Sequence, residues 1–309
     1  MSIALITDEP HAWHTRELRQ AFLRHGYSIR IVDLRLCRID LEAPWGLVLP
    51  GFGRELPAAA FVRGVPGGTL EQVVLRLDVL HGLRELGVPV YNDARAIEKS
   101  VDKAMTSFLL HRAGVPTPPT WATEDSATAR RILIKTLSEG ASLVAKPLFG
   151  SQGKGLQHLE EIPAEAPMDA GVAYLQRWLP PGGSRYLDWR VLVIGNRAVA
   201  AMRRESRHWI TNLAQGAKPR PVDIDDAENA DLAYWAVLAA RALGMDYAGV
   251  DVMRDAEGRP FVIEVNGVPA WRGLQRVTQA SIADALVSDL VGRRMARTAA
   301  PQEQNSLAV

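Results

Sequence analysis

At 309 residues, with 47% hydrophobic and 23% charged side chains, the chain is long enough for two or three subdomains around real cores and has ordinary globular composition. A formal net charge of +1, with Lys and Arg scattered rather than blocked, gives no field that demands nucleic acid or an anionic membrane, and neither is expected as a partner. The opening MSIALITDEP has no basic stretch before its short apolar run, and no apolar run approaches ~18 residues, so neither a secretion signal nor a membrane span is expected and a cytoplasmic location is.

The single cysteine, Cys37, excludes an internal disulfide and reads as a small buried hydrophobe. Residues 3–7 read as a strand, 12–25 as a helix stopped by Gly26, and 28–34 as a second strand. Residues 47–49 form a further strand that runs into Pro50-Gly51-Phe52-Gly53-Arg54, followed by a helix over 70–86, closed by Gly87, and a strand over 88–91. Strands alternating with helices imply a parallel sheet, whose ligands gather at the carboxyl ends of its strands. The loops there, 8–14, 51–54 and 63–69, carry Arg54 and Arg63, each a candidate for a substrate carboxylate or an ordinary solvated arginine.

Residues 100–112 read as a helix closing at Gly114, and Val115-Pro116-Thr117-Pro118-Pro119-Thr120 must be extended because each proline denies its predecessor the helical conformation. After a helix over 128–137, a strand over 143–147 delivers Lys146 into the loop 148–155, which contains three glycines. Such a loop brings backbone N–H groups close to phosphate oxygens. It lacks the GxxxxGK[ST] pattern and is followed by a strand over 156–159, so it reads as a flap between two strands, or else as a plain glycine hairpin.

A strand over 173–179 leads to the linker Pro180-Pro181-Gly182-Gly183, and strands over 189–194 and 197–203 flank a turn at Gly195-Asn196, with Asn where positive φ is tolerated. Alternation places Ala198, Ala200 and Met202 on one face and Val199, Ala201 and Arg203 on the other. An amphipathic helix over 227–243 then delivers the chain to two alternating runs, 247–253 and 259–266. A two-residue turn at Glu257-Gly258 would set Asp251 directly across from Glu264, with Val250, Val252, Ile263 and Val265 on the apolar side and Asn266 beside the carboxylates. Facing carboxylates repel unless a cation lies between them, and two carboxylates with an amide oxygen suit magnesium; the alternative is a solvated face on an edge hairpin. A helix over 282–297 closes the fold, residues 301–309 are patternless, and there is no internal repeat.

With these pieces in order, the sequence resembles the ATP-grasp superfamily and, within it, the RimK-type carboxylate–amine ligases. The resemblance rests on Ser100-Val101-Asp102-Lys103, Lys146-Pro147-Leu148, Gly150-Ser151-Gln152-Gly153-Lys154-Gly155, Asp188-Trp189-Arg190-Val191, Ala200-Ala201-Met202-Arg203-Arg204, Thr211-Asn212-Leu213, and Tyr247-Ala248-Gly249-Val250-Asp251 through Glu264-Val265-Asn266. It implies an α/β ATP-grasp fold: an N-terminal parallel-sheet domain over 1–97, a central subdomain with the glycine flap over 98–180, a C-terminal antiparallel subdomain with a metal site over 181–297, and a tail over 298–309. It implies ATP and Mg2+ as cofactors, two ions being expected and Mn2+ able to substitute.

By the same resemblance, Lys103 and Lys146 meet the phosphates; Gly150, Ser151, Gln152 and Gly153 close over them; Gln176, Arg177, Trp178 and Leu179 hold the adenine; and Asp188 and Asn212 contact the nucleotide. Asp251, Glu264 and Asn266 match the magnesium ligands, and Arg203 matches the arginine facing the transferring phosphoryl group. Two positions depart from the pattern: Arg177 stands where many relatives carry Glu, and Ile210 where they often carry Arg. The implied reaction is ATP-dependent amide formation through an acyl phosphate, adding L-glutamate to a carboxylate acceptor, either a small pterin-type coenzyme or a protein tail, in an assembly of two or four copies. Trp13, Phe52 and Phe61 would suit a ring-bearing acceptor and equally suit a core. The competing readings are a nucleotide-binding regulator without ligase activity and a ligase of another branch that joins two amino acids.

Overall fold

The computed structural model describes residues 1–150 and 153–296. They form two compact units, the first made of Met1–Ile97, Met245–Tyr247 and the chain from Gly267 onward, the second of Glu98–Gly244 and Ala248–Asn266.

The first unit runs through β1 (Ser2–Ile6), α1 (Trp13–Arg24), β2 (Ser28–Val32), β3 (Arg38–Ile39), β4 (Leu47–Val48), β5 (Ala59–Val62), α2 (Leu70–Glu85), β6 (Val90–Tyr91) and into α3 (Ala94–Val101). Its sheet has the order β2-β1-β5-β6, every pair parallel. The step from β1 to β2 and the step from β5 to β6 go in opposite directions, so right-handed crossovers put α1 and α2 on opposite faces. Covered on both sides, β1 and β5 are apolar without alternation, and Ile3–Ile6 and Ala59–Val62 are wholly buried.

That lack of alternation hid β5 from the sequence reading, since four apolar residues do not define a period. The strand expected over 47–49 belongs instead to a separate antiparallel ribbon with β3. The ring-bearing acceptor reading is corrected for two of its three residues. Phe61 is wholly buried and stacks 5.5 Å from Tyr247 and 5.3 Å from Tyr91, while Phe52 lies in the core with Leu49 and Leu77. Cys37 is buried as expected, and burial pushes its thiol up to about 12.

The side-chain amide of Asn92, wholly buried, fastens the unit's returning segments. Its Oδ1 accepts from the backbone N–H groups of Asp246 and Tyr247, and its Nδ2 donates to the carbonyls of Tyr247 and Gly267, at 2.5–3.0 Å.

The second unit begins with α4 (Lys103–Arg112). The helix expected over 100–112 is broken at Asp102, whose carboxylate caps α4 by accepting from the Met105 N–H at 3.0 Å. Then follow β7 (Thr120–Thr123), α5 (Ser126–Ser138), β8 (Leu143–Ala145), β9 (Gln157–Leu159) and β10 (Ala173–Arg177), which make an antiparallel sheet in the order β7-β10-β8-β9. The second sheet takes β11 (Tyr186–Ile194), β12 (Arg197–Ser206), β13 (Lys218–Val222), β14 (Tyr247–Arg254) and β15 (Pro260–Asn266) in the order β13-β12-β11-β14-β15. Helix α6 (Ala230–Leu243) packs on β11, β12 and β15. At the β11–β12 turn the positive φ falls on Gly195, not on Asn196.

The chain closes in the first unit with α7 (Arg272–Gln275) and α8 (Ile282–Asp289). The single closing helix expected over 282–297 becomes α8 and a wider π-helical stretch, Leu290–Met295. The tail expected over 298–309 lies outside the described residues.

Candidate nucleotide and metal site

Strands β14 and β15 place the two acidic candidates. Gly249 pairs with Asn266, Val250 with Val265 and Asp251 with Glu264, the expected register. The turn is not the expected one: the strands stop at Arg254 and Pro260, the Gly258 N–H bonds to the Asp255 carbonyl, and Gly258 has φ +81. That longer loop alone would set Asp251 against Ile263. A bulge between Asp251 and Val252 corrects the offset, because Val252 pairs with Val262 and leaves Ile263 without a partner. Val262, rather than Ile263, therefore joins Val250, Val252 and Val265 in the wholly buried set.

Asp251 is buried and engaged by two arginines. Arg190 forks onto it, with Nη2 at 2.7 Å from Oδ2, and Arg204 Nη2 lies 3.0 Å from Oδ1. Arg204 also forks onto Asp188 at 2.5–2.6 Å, and the Thr211 hydroxyl donates to the same carboxylate. Burial pushes the Asp251 carboxyl up, but Arg190 and Arg204 outweigh it and hold it below the usual range. For Asp188 burial prevails over Arg204 and the carboxyl is raised. Burial opposes the charge on Arg204, and Asp251 and Asp188 together more than restore it.

The antiparallel register sorts the arginines. Asp188 lies across from Arg204, and Trp189 across from Arg203, so Asp188, Arg190 and Arg204 share the face of Asp251 while Arg203 is on the other face. Arg203 instead pairs with Glu205 at 2.6 Å. The two of them line a cleft of about 470 Å³ with Leu187, Trp189 and the 253–258 turn. The structure thus does not bring Arg203 together with the carboxylates.

Lys146 follows β8 directly, and its Nζ donates to Gln176 Oε1 at 2.6 Å; Gln176, almost wholly buried, donates in turn to Thr120 Oγ1. Burial lowers the Lys146 amine to about 8, with Glu264 and Asp251 opposing the fall and Lys103 adding to it. Lys103, the first residue of α4, is lowered by burial too, with Glu264 the largest opposing charge. Both lysines therefore feel the field of Glu264. Lys103 Nζ also donates to the carbonyls of Leu148 and Gly150, at 3.3 and 2.9 Å.

The loop after Lys146 joins two antiparallel strands, as expected of a flap. Gly155 has φ +72, and a Cβ there would meet Pro147 Cγ at 2.8 Å; Gly153, at φ +69, would meet an Ile210 methyl at the same distance. The candidates Ser151 and Gln152 lie outside the described residues. On β10 and beyond, the N–H groups of Arg177 and Trp178 bond to the Pro119 and Ser142 carbonyls. Arg177 lies 3.7 Å from Glu139, the Trp178 ring lies 4.2 Å from that of His158, and Leu179 is half-buried. The Asn212 carbonyl accepts from Gln215 and Ala217, fixing the turn that follows Thr211.

The donor set suits a hard cation: two carboxylates in register, and Asn266, which donates through Nδ2 to the Gly249 carbonyl and so leaves its amide oxygen for a metal. Sequence reasoning assigned no role to Arg190, Arg204 or Thr211. The signal was present in Asp188 and Arg190, two charges on one face of an otherwise apolar strand.

The described site thus holds two lysines in the field of a carboxylate pair, and the loop that follows Lys146 joins two antiparallel strands. The model of the RimK-like ATP-grasp domain matches residues 100–290, and that of the RimK PreATP-grasp domain matches residues 1–97. The chain belongs to the RimK-like ATP-grasp family, whose members are ATP-dependent ligases that form carbon–nitrogen bonds. It is 34% identical over 238 residues, 74% of this chain and 77% of the other, to the tetrahydromethanopterin:alpha-L-glutamate ligase of Methanococcus maripaludis. It is 31% identical over 296 residues, 93% and 94% of the two chains, to a Teredinibacter turnerae protein named "Probable alpha-L-glutamate ligase". The ATP-grasp ligase PsnB, solved with a phosphomimetic variant of its minimal precursor, Mg and ADP, shares the fold with a TM-score of 0.70 at 22% identity, over 94% of this chain and 97% of that one. No described helix is long and apolar enough to cross a membrane.

Proposed function

We propose that this protein uses ATP and Mg2+ to activate a carboxylate acceptor as an acyl phosphate and joins L-glutamate to it through an amide bond. What supports the reading is the RimK-like ATP-grasp match over residues 100–290 together with the pairing of Asp251 with Glu264, whose charge favours the protonated forms of Lys103 and Lys146. The glutamate ligase names of the two relatives support the amino acid, and that of the methanogen relative supports a small pterin-type acceptor over a protein tail.

Phosphoryl transfer leaves little covalent work for protein groups, so the residues act by position and charge. Lys103 and Lys146 hold the phosphates, the lysine at the end of β8 reaching them while Gln176 steadies its amine. Asp251, Glu264 and Asn266 would hold Mg2+, which would neutralise charge on the transferring group. Arg190 and Arg204 engage Asp251 here, and a cation held by Asp251 would leave their guanidiniums available to phosphate oxygens. The role that the resemblance gives to Arg203, facing the transferring group and the tetrahedral oxyanion, passes in this reading to Arg204, which shares the carboxylate face. The flap shields the acyl phosphate from water until the amine attacks.

The test follows oxygen. An acceptor labelled with 18O in its carboxylate, incubated with ATP, Mg2+ and L-glutamate, should yield the glutamyl amide and transfer one labelled oxygen into inorganic phosphate. ADP formation without an amide product, or unlabelled phosphate alongside product, would refute the mechanism.

A further inference from the structure

We propose that the first unit carries its own anion-binding subsite at the carboxyl ends of β1 and β5, with Arg63 as the clamp and an acceptor carboxylate as its ligand. That the ligand belongs to the acceptor rests on the ligase reading above; the subsite itself rests on the first unit alone.

The place follows from topology. In the order β2-β1-β5-β6 the crossovers leave β1 and β5 in opposite directions, so the loops after these adjacent strands part and leave a crevice, where open parallel sheets bind ligands. Arg63 is the first residue after β5, and its N–H bonds to the Ile6 carbonyl at the end of β1, at 2.9 Å.

The chemistry follows from what these groups lack. The Arg63 guanidinium lies 5.2 Å over the Trp271 ring and makes one long hydrogen bond, 3.4 Å, to the Val268 carbonyl. Its Nε is buried without a partner, and it forms no ion pair with any described carboxylate. Burial weakens its hold on its proton, which the fields of Tyr247 and Glu9 only partly offset. Trp271 is wholly buried, and its Nε1 is likewise a donor without an acceptor. Buried donors are nearly always satisfied, so these two, one on the Arg63 guanidinium itself and one on the ring it covers, mark a place for an oxygen anion.

His14 fixes the charge count. Its Nε2 accepts from the Trp271 backbone N–H at 3.1 Å, and burial, reinforced by Arg63 and Arg272, pushes its pKa down to about 3, so the ring stays neutral. With His14 neutral, the partly buried Arg63 guanidinium suits a monoanionic carboxylate, whose two oxygens fit its fork, better than a phosphate dianion, with Arg272 adding to the positive field there. Val268 and Trp271 follow the candidate metal ligand Asn266 by two and five residues, so the chain ties this subsite covalently to the reaction centre.

The test needs neither ATP nor turnover. N-acetyl-L-glutamate, its diamide and inorganic phosphate are titrated into 15N-labelled protein, with the Trp271 indole N–H resonance assigned from a Trp271→Phe spectrum. The acid should shift that resonance and bind at least about tenfold more tightly than the diamide and more tightly than phosphate, as loss of a charge-assisted contact requires. Arg63→Met should weaken the acid about tenfold and leave affinity for a non-hydrolysable ATP analogue within about twofold, with Arg63→Lys intermediate. No shift at tens of millimolar acid, equal binding of acid and diamide, tighter binding of phosphate, or undiminished binding by Arg63→Met would overturn the subsite. The acid–diamide comparison uses wild-type protein and stands even if a variant misfolds. Failure of the ligase reading would appear instead in the 18O experiment.

Discussion

Lys146 shows how one residue couples burial to nucleotide binding. Its amine titrates at about 8 against 10.5 for a free lysine, so between those values the unfolded chain holds the extra proton and stability rises with pH. Nucleotide binding runs the other way, because phosphate favours the charged amine. ATP affinity should fall as pH rises through 8, by up to about tenfold per pH unit, with about one proton taken up on binding near pH 9. Calorimetry in buffers of different ionisation enthalpy measures that uptake, which should vanish in Lys146→Met; uptake unchanged in the variant would remove Lys146 from the phosphates. The neighbouring arginines give a second contrast. Arg204→Ala should cost about 100-fold or more in kcat, the range for loss of one oxyanion donor, while Arg203→Ala should stay within several-fold. The reverse pattern would return the role to Arg203. Alternation in the sequence distinguished the two faces of β12, but only the register with β11 reveals which face meets Asp251.

At the scale of elements, the β14–β15 hairpin shows what a pattern can and cannot reveal. Asp251 and Glu264 pair as the sequence implies, although the turn that implied it does not form. Two offsets cancel: a longer loop shifts the ladder by one residue, and the bulge at Ile263 shifts it back. A bulge leaves little trace in alternation when the extra residue is itself apolar. Deleting Ile263 should regularise the ladder and keep Glu264 opposite Asp251, because Val262 would then be followed directly by Glu264. We expect a folded protein, with strand content by circular dichroism retained, that keeps Mg2+-dependent ATP binding; lost binding would show that the bulge itself, and not the register alone, positions the metal ligands. The strand–loop–strand arrangement around Gly150, Gly153 and Gly155 was legible because glycines mark a turn between two short apolar runs. The helix break at Asp102 was also signalled, by an acidic cap one residue before Lys103, and was overlooked because the apolar period runs across it.

Across the whole molecule, the α/β class and the order of elements were legible from alternating helices and strands, whereas β5, β7 and β13, short and without a clear period, were not. Nor could local pattern reveal that Tyr247 and residues 267–296 belong with the N-terminal sheet. Asn92 is where that return is secured. Asn92→Ala would orphan the backbone groups of Asp246, Tyr247 and Gly267 in a dry interior, and should cost about 3 kcal/mol or more of unfolding free energy, read from the urea midpoint. A loss below about 1 kcal/mol would show that those groups find other partners.

The chain passes between the units four times, at 97/98, 244/245, 247/248 and 266/267. Gene fusions, splits and transplants that treat the opening 97 residues as a portable cassette would therefore cut through a core: Phe61 and Tyr91 would lose Tyr247, and α1 would lose α8. Such a cassette, expressed alone, should aggregate or remain unfolded, and should recover its structure only when the remainder of the chain is supplied in the same cell. Recombination in this lineage would accordingly conserve the whole chain and exchange loops, leaving novelty in acceptor choice to accumulate by substitution at the edges of the sheets.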